Sequence, residues 1–213
     1  MSVWTALVSF AVVAGFLTLV PGLDTALVLR SAIVRGTRTA FATALGVGSG
    51  LLVWGIATTC GLSVLLTTSQ WAYTVLRIAG AIYLIWLGLT SLVALLRSGD
   101  LGAGQVDDRA VASDSVLRAW ARGATSNLLN PKVGVFYIAM LPQFIPPHAP
   151  HLLMGTALTL IHFVEGVLWS TVLICGVRFT KSWFDRPSVK RGMEGLTGSV
   201  LVVLGLKLAL DTP

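Results

Sequence analysis

The chain has 213 residues, of which 55% are hydrophobic and only 11% are charged. Soluble domains carry charge on roughly a quarter of their residues, so this composition excludes a soluble globular protein. The net charge of +6 does not indicate a nucleic-acid partner, because most of the basic residues lie in or beside the loops on one side of the apolar runs.

Six apolar runs follow one another along the chain, and each is long enough to cross about 30 Å of hydrocarbon as a helix. The runs are continuously apolar and lack the period-two alternation of membrane-spanning strands. The sequence therefore predicts an all-α, polytopic membrane protein. Its six transmembrane helices are expected at 3–31, 39–66, 71–96, 115–141, 151–177 and 190–210.

The distribution of lysine and arginine predicts the orientation of these helices. Twelve of the fifteen basic residues follow the first, third and fifth runs, and the loops 67–70 and 142–151 contain none. Short loops rich in lysine and arginine face the cytoplasm. We therefore expect both termini on the outer side of the membrane, and we interpret the basic face as a topology signal.

A single long polar stretch, RSGDLGAGQVDDRAVASD at 97–114, divides the chain into two halves. Its glycine, aspartate and serine content is typical of a flexible linker, and we expect it in the cytoplasm. Residues 1–96 and 115–213 would each form a repeat of three helices within one membrane domain. Because three is an odd number, the second repeat crosses the membrane in the opposite direction, which is a 3+3 inverted repeat.

Each half opens with a helix that a proline interrupts. The first break is Pro21-Gly22, nine residues before Arg30, and the second is Pro131, nine residues after Arg122. At 1.5 Å per residue, both breaks lie about 13 Å from the cytoplasmic face, near the middle of the bilayer. Paired interruptions at corresponding positions indicate the substrate site of a transporter.

Polar residues accompany both breaks. Asp24 is expensive in hydrocarbon, which favours a role with an ion or substrate; the alternative is that it caps the helix that resumes at Thr25. Asn130 followed by Pro131 is typical of a helix start, with asparagine as the N-cap. Lys132 would add a positive charge for a substrate carboxylate and would pair with Asp24 in the empty site.

Two further ionisable residues are predicted at midplane depth in the fifth helix. His162 and Glu165 are three residues apart and so share a helix face. They could relay protons, or they could satisfy each other as a purely structural pair. Two ligands are too few for a transition-metal site, so a metal would require Asp24 as a third.

The remaining features are interpreted mainly as helix packing. Gly46 and Gly50 have GxxxG spacing, which lets helices approach closely, and other glycines extend such small faces. The GxxxG spacing suits a homo-oligomer as well as internal packing, so the oligomeric state stays open. Three tryptophans lie deeper than an interfacial belt and either line a cavity or face lipid. The other packing glycines are Gly80, Gly88, Gly166 and Gly195, and the three deep tryptophans are Trp54, Trp86 and Trp169.

Three segments, in this order, resemble the signature segments of the LysE/RhtB family of bacterial amino-acid exporters. They are PGLDTALVLRSAIVRGTRTAFATALGVGSG, LRIAGAIYLIWLGL and TSNLLNPKVGVFYIAMLPQFI, and the likeness extends over nearly the whole chain. The resemblance implies efflux of small amino acids or their derivatives, driven by the proton-motive force, across a bacterial inner membrane.

The family motifs map onto both breaks of this sequence. The proline-glycine motif corresponds to Pro21, Gly22 and Asp24, and the asparagine-proline motif corresponds to Asn130, Pro131 and Lys132. Members often carry a second proline where this chain has Leu23, and asparagine where it has Asp24. The first departure affects the local geometry, and the second affects substrate charge or proton coupling.

These observations predict a proton-coupled exporter of a small zwitterion, embedded in lipid and without a cofactor. The alternative within transport is a cation or heavy-metal exporter that uses Asp24, His162 and Glu165. An intramembrane enzyme is disfavoured, because the sequence contains no phosphate loop and no HExxH metal motif. A purely structural membrane protein would leave the polar residues at the midplane without a purpose.

Overall fold

The computed structural model describes residues 2–20, 22–68, 70–96, 115–177 and 187–210, and all regular structure in these ranges is helical. The predicted all-helical class is therefore confirmed. The predicted linker at 97–114 and Pro21 lie outside the described residues. The helices are α1 (Val3–Leu19), α2 (Leu23–Arg35), α3 (Thr37–Thr68), α4 (Gln70–Leu96), α5 (Val116–Leu128), α6 (Pro131–Val135), a π-helical turn (Phe136–Met140), a 3₁₀ turn (Leu141–Phe144), α7 (His151–Cys175) and α8 (Pro187–Leu210).

Two of the described helices are individually long and apolar enough to cross a membrane, the segment Thr37–Gly61 of α3 and the whole of α7. The pair α1 and α2 adds a third span if it is counted as one helix bent by 54°. Shorter apolar segments occur in α4 and α8, at Ile78–Thr90 and Gly198–Leu210. Six spans in two inverted halves stay a prediction.

The first predicted break lies between α1 and α2. The backbone N–H of Val20 donates to the carbonyl of Phe16 at 3.2 Å and closes the last turn of α1. Gly22 then adopts an extended conformation as the N-cap of α2, with no side-chain cap. The N-cap is therefore Gly22, and the alternative in which Asp24 caps this helix is wrong. Asp24 lies in the first turn of α2.

The second predicted break lies between α5 and α6, and it has the predicted chemistry. Asn130 is the N-cap of α6, and its side-chain oxygen accepts from the backbone N–H of Lys132 at 3.1 Å. Pro131 is the first helical residue, where its missing N–H costs no helical hydrogen bond. The helix then widens into the π turn. π-Helical geometry is rare in proteins, and where it occurs it is frequently at a functional site.

Glycines bring two pairs of helices into backbone contact. A methyl group at Gly50 of α3 would lie 2.9 Å from the carbonyl oxygen of Ala124 in α5. A methyl group at Gly88 of α4 would lie 2.7 Å from the carbonyl oxygen of Gly198 in α8. The prediction of glycine-mediated packing is therefore confirmed for these helices, and it is wrong for Gly166, where a methyl group would meet nothing within 4 Å.

Two apolar clusters form the interior. The larger contains Phe10 of α1, Leu84 of α4 and the aromatic residues of the π turn, whereas the smaller contains Val28 of α2 and Ile174 of α7. The break between α1 and α2 therefore lies where the chain passes from one cluster to the other. Many apolar side chains face outward, as expected for a lipid-facing surface; examples are Val12, Val53, Ile82, Leu168 and Val203.

Candidate functional site

The carboxylate of Asp24 joins the two breaks. Its Oδ1 accepts a hydrogen bond from Ser126 Oγ at 2.8 Å. Its Oδ2 accepts from Asn127 Nδ2 at 2.9 Å and from Asn130 Nδ2 at 3.1 Å. The half-buried acid at the first break is thus held by three neutral donors at the second, more than 100 residues away in sequence.

Lys132 reaches from the second break toward the first. Its Nζ lies 3.5 Å from the carbonyl oxygen of Leu17, near the end of α1. The last carbonyls of a helix lack partners within it and carry partial negative charge, so an ammonium is favourable there. This contact corrects the expectation that Lys132 pairs directly with Asp24, since the carboxylate takes its hydrogen bonds from Ser126, Asn127 and Asn130.

A cavity of about 90 Å³ opens between the two breaks and between the two apolar clusters. A single water molecule requires roughly 10–15 Å³ on this measure, so the cavity has room for several waters or for a small solute. One acid and one base, Asp24 and Lys132, reach it, together with His162. The other lining residues are mostly apolar and include Leu17, Val20, Val28, Val47, Leu51, Val133, Phe163, Val167 and Leu173.

His162 and Glu165 do not satisfy each other as the structural alternative had proposed. The buried His162 has Nδ1 3.2 Å from the hydroxyl of Tyr137, and the two rings stack with centroids 5.8 Å apart. Glu165 faces α1, where a methyl group at Gly15 would lie 3.7 Å from its Oε1. Its Oε2 is buried and has no hydrogen-bond partner among the described residues.

The structure thus brings five of the predicted site residues together around the cavity: Gly22, Asp24, Asn130, Lys132 and His162. Pro131 and Glu165 are not among its lining residues. Within the described ranges, no three histidine, cysteine or acidic side chains are grouped so that they could hold a metal ion. The predicted set of Asp24, His162 and Glu165 therefore does not form a metal centre in this structure.

Sequence reasoning missed several polar groups of the site. Ser126 and Asn127 precede Asn130 by four and three residues, and this shared helical face was a usable signal. Thr18 and Trp169 line the cavity, and Thr18 Oγ1 and Trp169 Nε1 are buried without partners. Of the two interpretations left open for Trp169, cavity or lipid, the structure supports the cavity.

Comparison with known proteins places this architecture in a family. The model of the LysE type translocator family matches residues 15–212. The chain belongs to this family.

Proteins similar to this translocator occur in several bacteria. It is 29% identical to the uncharacterized membrane protein YrhP of Bacillus subtilis, over 97% of this chain and 99% of that protein. It is 31% identical to a leucine efflux protein of Klebsiella pneumoniae, over 94% and 93% of the two chains. It is also 31% identical to a homoserine/homoserine lactone efflux protein of Salmonella typhimurium, over 91% and 90%. No solved structure matches the chain.

Proposed function

We propose that this translocator is a secondary exporter of small amino acids or their derivatives, that its substrate binds in the cavity between the two breaks, and that protons drive export. One observation carries the proposal. An otherwise mostly apolar cavity contains one carboxylate, Asp24, and one ammonium, Lys132. A zwitterion carries one positive and one negative group, and these two side chains complement both. The names of the efflux proteins similar to this chain support amino acids as the substrate class.

Lys132 is proposed to bind the substrate carboxylate. The only hydrogen bond of its ammonium within the described part of the chain is the 3.5 Å contact to the Leu17 carbonyl, which is long for a strong hydrogen bond. The unpartnered donors Trp169 Nε1 and Thr18 Oγ1 line the same cavity. A bound carboxylate could accept from all three, and this would compensate for the water that it loses.

Asp24 is proposed to bind either the substrate ammonium or a proton. An ionised carboxylate offers about four acceptor positions, and three hydrogen bonds already occupy Asp24. About one position therefore remains for a ligand. A proton and an ammonium would compete for the same carboxylate, so the binding of either one weakens the binding of the other. Such competition is a basis for the exchange of a proton for the substrate.

In addition to the competition between proton and ammonium at Asp24, we propose that His162 and Glu165 couple transport to protons. His162 lines the cavity and also contacts the Tyr137 hydroxyl. Glu165 is one helical turn away and has a buried oxygen with no partner, so it can gain or lose a proton without breaking a hydrogen bond. A lipid-embedded carboxyl of this kind is typical of proton pathways in transporters.

Alternating access is proposed to follow from the two breaks. Residues 1–96 and 115–213 would form the inverted three-helix repeats, and the 97–114 linker would lie in the cytoplasm of the bacterial cell. The packing of α1 and α2 into different apolar clusters supports relative movement at the first break. The hydrogen bonds that Asp24 accepts would then form in one conformational state of the transporter. Protonation of Asp24 would weaken them.

The test is export by purified protein in proteoliposomes. Vesicles are loaded with radiolabelled L-leucine, L-homoserine or L-alanine, and efflux is followed with and without an imposed pH gradient. We expect accelerated efflux of at least one of these amino acids with the gradient. Lys132→Gln should slow it by about tenfold or more, because a hydrogen bond to a charged group contributes about 1.5–3 kcal/mol.

Arg191→Gln is the matched control for charge removal, because Arg191 is exposed on α8 and lies outside the cavity lining. It should export at the wild-type rate. If the wild type moves none of the three amino acids, the proposed function is refuted. If Lys132→Gln exports at the same rate as Arg191→Gln, the carboxylate role of Lys132 is wrong.

A further inference from the structure

Helix α7 presents one face to the cavity and another to the lipid. The cavity lining includes His162, Gly166, Ser170 and Leu173, which recur at intervals of three or four residues and therefore share a face. The exposed apolar residues of the same helix follow the same period on the other side, at Leu160, Val164, Leu168 and Val172. Gly166 is the central position of the cavity face.

The absence of a side chain at Gly166 leaves open space. A methyl group there would meet no heavy atom of the described part of the chain within 4 Å. The neighbouring cavity glycine differs, because a methyl group at Gly48 would lie 2.5 Å from the Phe163 ring. Close packing explains Gly48, but it does not explain Gly166.

Backbone conformation does not explain Gly166 either. In the described part of the chain, the positive-φ glycine is Gly36, at 85°, and Gly166 is in the interior of a regular helix. Glycine at such a position destabilises the helix relative to alanine. A glycine that destabilises its helix, at a position where a methyl group would fit without a contact, is best explained by the space that it leaves in the cavity.

Apart from His162, Trp169 and Ser170, the lining that α3 and α7 contribute to this cavity is apolar. Phe163, Val167 and Leu173 of α7 line the cavity together with Val47 and Leu51 of α3. Asp24 and Lys132 are the acidic and basic residues of the lining, and the proposed zwitterion uses both. Among the described residues, a substrate side chain in the remaining space would meet no further acid or lysine, so a charged side chain would be buried without a partner.

We infer that Gly166 is a specificity-determining residue, and that the space beside it receives the uncharged aliphatic side chain of the transported amino acid. This inference depends on the proposed function and makes it more specific. A larger residue at 166 fills the recess and leaves the charged groups in place. The translocator then rejects a large aliphatic substrate and keeps a small one.

The experiment compares L-leucine with L-alanine in counterflow by proteoliposomes. The series Gly166→Ala, Gly166→Val and Gly166→Leu reduces the space in steps. We expect the ratio of leucine rate to alanine rate to fall progressively, by about tenfold or more in Gly166→Leu, since one methylene group in an apolar pocket changes specificity by about 10- to 200-fold.

Gly61→Leu is the matched control. A methyl group at Gly61 of α3 also meets nothing within 4 Å, and Gly61 lies outside the cavity lining. It should leave the rate ratio unchanged. Gly166→Ala adds a single methyl group into empty space, so it keeps the test valid if the leucine variant fails to give monodisperse protein.

The outcomes separate the inference from the proposed function. Wild-type protein that moves none of leucine, alanine and homoserine refutes the proposed function, and the inference with it. Wild-type protein that moves homoserine but neither leucine nor alanine overturns the inference alone. Wild-type protein that moves both, together with a rate ratio that stays constant across the Gly166 series, overturns the inference alone. An equal loss of both substrates in every Gly166 variant also overturns it, because this would show a structural role for the position.

Discussion

Replacing Asp24 with asparagine separates the structural part of this residue from its charge. Asparagine retains a carbonyl oxygen that can accept from the amides of Asn127 and Asn130. Its own amide can donate to the hydroxyl of Ser126, because a serine hydroxyl both donates and accepts. All three partners within 3.1 Å of the native carboxylate can therefore stay satisfied in Asp24→Asn.

The stability change expected for Asp24→Asn is small. Hydrogen bonds to a charged group contribute about 1.5–3 kcal/mol and neutral ones about 0.5–1.5, so three bonds lose roughly 3 kcal/mol in total. Removing a carboxylate from hydrocarbon recovers about 2.5–3.5 kcal/mol on insertion scales. The two terms nearly cancel, so we expect the Tm in detergent to stay close to the wild-type value.

Asp24→Ala should behave differently. Alanine leaves three donors without an acceptor, at about 1–3 kcal/mol each, which exceeds the recovered cost of burying the charge. Thermal unfolding in detergent should therefore rank wild type and Asp24→Asn together, above Asp24→Ala. Both variants should lose efflux driven by a pH gradient, because neither has a titratable carboxyl at position 24.

Two results would refute this reasoning. Wild-type gradient-driven efflux by Asp24→Asn would show that the charge at position 24 has no part in coupling. Equal Tm values for Asp24→Asn and Asp24→Ala would show that the hydrogen bonds to Ser126, Asn127 and Asn130 contribute nothing to the fold. The first result tests the functional role of Asp24 and the second tests its structural role. Either role can therefore be refuted without the other.

Two other predictions concern packing and orientation. Gly50→Leu should lower the free energy of unfolding by about 1–3 kcal/mol or more, because the new side chain meets the backbone of α5. Gly61→Leu should change it little, because a methyl group at that position meets no described atom within 4 Å. Equal losses for the two variants in thermal denaturation would contradict close helix contact. Both cysteines are free and exposed, and the predicted orientation places Cys60 near the outer end of α3 and Cys175 near the inner end of α7. Variants that retain one cysteine each can therefore report sidedness in whole cells. An impermeant maleimide should label Cys60 in the variant Cys175→Ser, and it should label Cys175 in Cys60→Ser only after the membrane is opened; the reverse pattern would invert the predicted topology.

The sequence predicts the two breaks well because their chemistry is local. A proline removes its own N–H and an asparagine caps the residues that directly follow it, so Asn130 and Pro131 determine a helix start wherever the chain places them. The partners of Asp24 are not local. Ser126 and Asn127 are more than 100 residues from the acid, and only the packing of α2 against α5 brings them together.

Gly166 and the His162–Glu165 pair show where sequence patterns are ambiguous. A glycine within an apolar helix is equally suited to a close helix contact and to an empty space, and only the neighbouring helices distinguish Gly50 from Gly166. Helical spacing places His162 and Glu165 on one side of α7, but their partners come from other elements. The π turn supplies Tyr137 to the histidine, and α1 presents Gly15 to the glutamate.

The central claim is that both breaks form one site that binds a zwitterion by its two charged groups. The most direct measurement is competition of unlabelled analogues against radiolabelled L-leucine binding to purified protein. Leucinamide lacks the carboxylate, and 4-methylpentanoate lacks the ammonium. We predict that each competes at least about tenfold more weakly than leucine in the wild type, and that Lys132→Gln removes the discrimination against leucinamide only. Equal competition by leucine and both analogues would contradict the account.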